Sequence, residues 1–115
     1  MALKTIADPT FKRAVTIDTT TLAGTINIEF RARRQKYLLE LQAKANAEGR
    51  YPELVLVDVV KAWDLEIDGE AIECGAAGVQ QLLDHPGTSA KLMGEYYTGL
   101  HEARSGNSAP PPSGS

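Results

Sequence analysis

The chain has 115 residues, 43% of them apolar, and a formal net charge of −3. This suits one compact domain with its own core and argues against wholesale disorder. The lone cysteine, Cys74, excludes an internal disulfide and points to a reducing compartment. No apolar run approaches the roughly 18 residues of a membrane span, and the opening MALKTIADPT lacks a signal-peptide core.

The net charge conceals an asymmetry. Residues 1–50 carry nine Lys/Arg against five Asp/Glu, and residues 51–115 carry three against ten. The two halves could pair with each other or with partners of opposite sign; self-pairing is the simpler reading.

The first elements read as strands. Phe11, Val15 and Ile17 alternate with polar or small neighbours, as do Ile26, Ile28 and Phe30. A period of two predicts half-buried strands, here a β-hairpin or strand pair within about 10–31. The period then changes: Tyr37, Leu38, Leu41 and Ala45 share one helical face, and Gly49 suits the helix end. Arg31, Arg33, Arg34 and Lys36 crowd the start of that helix, where cations oppose its dipole. They call for acidic neighbours in the fold or a partner, or they form a solvated cluster.

In YPELVLVDVVKAWDL only Asp58 and Lys61 interrupt the apolar positions 54–63. A buried helix opened by Pro52 and ended at Trp63 is expected, with a valine-rich buried strand as the alternative. Asp68-Gly69 is a two-residue turn signal within an acidic stretch, Asp64 to Glu73. Val79, Leu82 and Leu83 share a helical face that ends at His85-Pro86-Gly87. Thr88 or Ser89 can cap a last helix whose stripe is Leu92, Met93, Tyr96, Leu100 and Ala103. The fold class is therefore α+β: strands at about 10–31, then about four helices over 33–104. A Ser/Gly/Pro-rich tail, 105–115, is expected to be disordered.

Catalytic and metal motifs are missing. Cys74, His85 and His101 lack metal-ligand spacing, and the acidic turn fails the EF-hand order because Gly75, not Glu, stands twelfth from Asp64. Gly75-Ala-Ala-Gly78 lacks the lysine of a phosphate loop. A Cys74/His85 nucleophile pair is conceivable, but a half-buried thiol beside a helix-end histidine is the simpler account. No cofactor is expected. The acidic balance, with only Tyr37 beside the arginines, argues against nucleic acid. Trp63 reads as a core anchor, and one of Tyr96 and Tyr97 must leave the apolar stripe and is free to meet a partner.

An ordered set of features resembles the tail assembly chaperones of long-tailed bacteriophages. Phe30-Arg31 precedes an amphipathic helix, and Trp63-Asp64 ends an apolar one. Asp68-Gly69-Glu70 follows as an acidic turn, then Leu82-Leu83-Asp84 as a helix end and Pro86-Gly87 as a break. A final helix carries Tyr96 or Tyr97 with Leu100 and runs to Ala103-Arg104-x-Gly106-Asn107. The segment 73–78 departs from the family's usual helix start, and the residues before Thr25 show little that matches.

The resemblance implies a non-catalytic factor of the host cell cytoplasm, absent from the finished virion. It would keep the tape measure protein soluble and help recruit the tail tube protein. A longer, frameshifted form of the chain is a further implied partner. Arg31, Arg33, Arg34, Tyr37 and Tyr97 are the candidate partner contacts, and the groove between the 37–47 helix and the last helix is the expected binding place. The alternative is a structural tail or head-tail joining component.

Overall fold

The computed structural model describes residues 2–102; the expected tail, 105–115, lies outside them. The two alternating segments form β1 (Thr10–Asp18) and β2 (Ala23–Arg31), paired antiparallel from Thr10 opposite Arg31 to Asp18 opposite Ala23. This register sets Phe11 beside Phe30 and Val15 beside Ile26, so both apolar rows face one side. The link is closed by Thr19, whose N–H donates to the Leu22 carbonyl at 2.8 Å and whose hydroxyl accepts the Leu22 N–H at 2.9 Å.

Helix α1 (Gln35–Ala47) follows, as its period predicts, with Leu38 and Ala45 buried. The apolar run behaves differently from expectation. Helix α2 covers only Glu53–Val59, and Val60–Trp63 is strand β3, which pairs antiparallel with β2. The sheet order is β1-β2-β3, and a register shift between Glu29 and Phe30 accommodates the junction. The expected helix end at Trp63 is thus a strand end. Two β-branched valines, Val59 and Val60, sit at the switch, and the open edge of β2 supplies hydrogen-bond partners that another helical turn would forgo.

Asp68 and Gly69 adopt φ of +53° and +83° between the two-residue strands β4 (Glu66–Ile67) and β5 (Glu70–Ala71), as the turn signal predicts. Helices α3 (Ala76–Leu83) and α4 (Thr88–Leu100) complete the order, so antiparallel strands and four helices stand as the sequence leads one to expect. The cap of α4 differs from the expected Thr88 or Ser89. Gly87 is the N-cap of α4, and buried Thr88 turns its hydroxyl back to the Leu82 carbonyl at 2.8 Å. It satisfies an orphan acceptor at the end of α3 rather than a donor of α4.

The core lies between the apolar sheet face and the helices, with Val15, Ile28, Phe30, Leu56, Leu82, Leu92 and Tyr96 fully buried. Helix α4 approaches β1 closely at Gly99, where a Cβ would come within 2.7 Å of the Arg13 Cδ and also strike the Phe11 ring. Phe11, Phe30 and Tyr96 form an aromatic cluster with centroids 5.3–5.6 Å apart.

Candidate partner-binding cleft

The basic segment begins where β2 ends, and its backbone is held by a tyrosine from α4. The Tyr96 hydroxyl donates to the Arg31 carbonyl at 2.9 Å and accepts the Arg33 N–H at 3.2 Å. Burial raises the Tyr96 pKa above its ordinary value, so the hydroxyl keeps the proton it donates. Arg34 then stands at the N-cap of α1 without a side-chain cap, and the first turn contains no acid.

The acid comes from α2. Arg33 Nε donates to Asp58 Oδ1 at 2.9 Å, and the Tyr37 hydroxyl donates to Asp58 Oδ2 at 2.6 Å. Arg31 Nη1 reaches the carbonyls of Asp58 and Val60 at 2.9 and 3.2 Å. The Arg33 guanidinium lies 4.7 Å from the Tyr37 ring centroid, a cation–π contact. The hydrogen bond to Asp58 is the main cause that raises the Tyr37 pKa. The sequence carried a signal for this partner: Asp58 is the one acid in the apolar run 54–63.

Arg31 and Arg33 are therefore partly spent inside the fold. Arg34 and Lys36 make no ion pair among the described residues, and neither does Lys61 on β3. These five cations form one wall of an open cleft of about 1180 Å³, and residues 5–10 of the N-terminal arm form the other. Among the described residues Asp8 and Glu40 are the only acids on its walls, against five cations, so the cleft is electropositive. Tyr37 is 43% exposed there and Ile6 on the arm 48%, while exposed Leu39 on α1 stands outside the cleft's lining. Cationic and apolar surface stand side by side.

The other singled-out residues fall elsewhere. Tyr97 is half-buried, edge-on to Tyr96 at 5.4 Å, and its hydroxyl accepts the Gln42 amide N–H from α1. That bond bridges α1 and α4 where a groove was expected, and the open cleft lies at the start of α1 instead. Trp63 is half-buried; its Nε1 donates to the Ile72 carbonyl at 2.8 Å, and its ring abuts Gly78, where a Cβ would lie 2.7 Å from Cζ2. The unusual segment 73–78 is thus shaped by this seat. Asp64 accepts from the Asn27 N–H at 2.7 Å and side-chain amide at 2.8 Å, which lower its pKa. Phe30 and Leu82 are core, Leu83 and Leu100 are half-buried against it, and Gly69, Pro86 and Gly87 stand exposed in turns.

The thiol reading does not gain support. Burial pushes the Cys74 thiol up, the opposite of activation, and His85 Nδ1 lies 2.8 Å from the Thr21 hydroxyl. Among the described residues no group of three or more His, Cys, Asp or Glu is placed to hold a metal ion. No helix among them is long and apolar enough to cross a membrane.

A family model described as phage tail assembly chaperone matches residues 1–107. The chain belongs to this family. The match includes the strands before Thr25, which the sequence motifs alone left without a counterpart. No curated protein and no solved structure matches the chain. In this tail assembly chaperone, the arm, the basic segment and the start of α1 form one continuous surface within the matched region.

Proposed function

We propose that this chain is a non-catalytic chaperone that binds the tape measure protein in the host cytoplasm and keeps it soluble until the tail tube assembles around it. The observation that carries this reading is the cleft, where Arg34, Lys36 and Lys61 without ion-pair partners among the described residues stand beside exposed Tyr37 and Ile6. A long chain awaiting assembly exposes amphipathic segments. Apolar contact provides affinity for them, and cations select acidic flanks while keeping the complex soluble. The tail tube protein and a longer, frameshifted form of this chain are further partners in the same proposal.

Co-expression with the tape measure protein tests the reading. The expected result is a soluble complex that co-purifies, and Arg34→Glu with Lys36→Glu weakens capture about tenfold through a slower association rate and its salt dependence. A tape measure protein that stays insoluble, or that is captured equally by the double variant, overturns the assignment of the cleft.

A further inference from the structure

Strand β1 is an edge strand with one side open. The Ala32 N–H donates to the Pro9 carbonyl at 2.9 Å, and the Thr19 N–H donates to the Leu22 carbonyl at 2.8 Å. Antiparallel pairing alternates, so the odd-numbered residues of β1 direct their backbone groups at β2. Thr10, Lys12, Ala14, Thr16 and Asp18 direct theirs away from it, and among the described residues no strand stands there. No backbone group among the described residues bonds to these five outside the β1–β2 pair. Helix α4 meets the inward side chains of Phe11 and Arg13. Such an edge is a template for another strand unless something covers it.

We propose that this edge pairs antiparallel with the same edge of a second copy of the chain, joining two three-stranded sheets. The charges choose the occupant and the register. With Val15 opposite Val15 of the second copy on a two-fold axis, the outward-directed residues become the hydrogen-bonded pairs. Lys12 then faces Asp18 of the second copy, Asp18 faces its Lys12, and Ala14 faces its Thr16. Both charged side chains are exposed on the same sheet face and make no ion pair among the described residues. A two-fold contact therefore forms both cross-strand ion pairs at once, with about eight backbone hydrogen bonds. The neighbouring registers on this edge lose that match: shifting by two residues sets Ala14 opposite Ala14 and Lys12 opposite Thr16.

Light scattering with size-exclusion chromatography on the full chain tests the proposal. A concentration-dependent dimer is expected. Asp18 lies opposite Ala23 within the monomer, so Asp18→Lys leaves the fold intact while placing lysine opposite lysine across the axis. It should weaken dimerisation about tenfold. Lys12 lies opposite Glu29 within the monomer, so Lys12→Asp is added together with Glu29→Gln, and this variant, with both signs across the axis reversed, should restore it. Thr16→Pro removes a donor aimed at the partner and should abolish the dimer with an unchanged circular dichroism spectrum. A monomer at the highest soluble concentration overturns the proposal. So does a dimer that ignores Asp18→Lys and Thr16→Pro.

Discussion

The basic segment 31–36 and the acidic stretch 64–73 are the two charge clusters of this chain, and they are built on different principles. The basic segment is anchored from three elements: Tyr96 of α4 holds its backbone, Asp58 of α2 takes Arg33 and Tyr37, and Arg31 reaches the carbonyls where α2 becomes β3. The acidic stretch is local. Its two short strands pair with each other, and Asp64 reaches back to Asn27. No ion pair among the described residues joins the two clusters. Like density of charge therefore conceals unlike roles: one cluster is fixed by the core and shapes a cleft, and the other is a set of exposed acids on a hairpin whose Leu65 enters the core.

The sharpest way to break this contrast is Tyr96→Ala. It removes a fully buried ring and both hydrogen bonds to the basic segment, and should cost about 3–5 kcal/mol, read from denaturant midpoints. Equal stability would show that the segment is not anchored from α4. Gly78→Ala forces a methyl against the Trp63 ring and the Glu73 carbonyl oxygen and should cost about 1–3 kcal/mol. Its effect should stay near the acidic hairpin, with amide exchange at residues 31–37 unchanged.

Asp58→Asn tests the basic side alone. It should cost about 1 kcal/mol, discounted because the pair is partly exposed, and the Tyr37 pKa should fall back toward its ordinary value in an ultraviolet titration. A Tyr37 titration that does not move would disconnect it from Asp58.

The smallest effect belongs to Asp64. Its folded pKa is depressed, so its contribution is present above the unfolded carboxylate pKa and is lost as pH falls through the folded value. Glu95, lowered by Arg13 and then Lys91, acts in the same direction. Thermal melts should therefore decline on acidification below about pH 4, and Asp64→Asn should flatten part of that decline. An unchanged slope would remove Asp64 from the account.

Much of the fold was legible because it is local. Alternation located β1 and β2, the 3.6 period located α1, α3 and α4, and Asp68-Gly69 located the tight turn. The break at Val60 was not legible. A run that is apolar on every side has no period, and strand pairing with β2 is a long-range event. Thr88 departs from its sequence signal for a related reason: Ser and Thr before an apolar stripe signal a cap, but burial turns its hydroxyl toward α3. The arginine cluster was visible as an electrostatic cost at the start of α1, while its partner Asp58 lay 25 residues from Arg33 in a segment of uncertain type.

By itself the sequence determined the strand pair, the helical faces, the two charge clusters and the ordered motifs of a tail assembly chaperone. These follow from side-chain period and residue chemistry along a short stretch. Only the tertiary structure decided that β3 completes the sheet, that Asp58 rather than the acidic stretch meets the arginines, and that the open cleft lies beside the N-terminal arm. Each depends on which distant surfaces exclude water together, and hydrogen-bond partners are settled only once that packing is fixed.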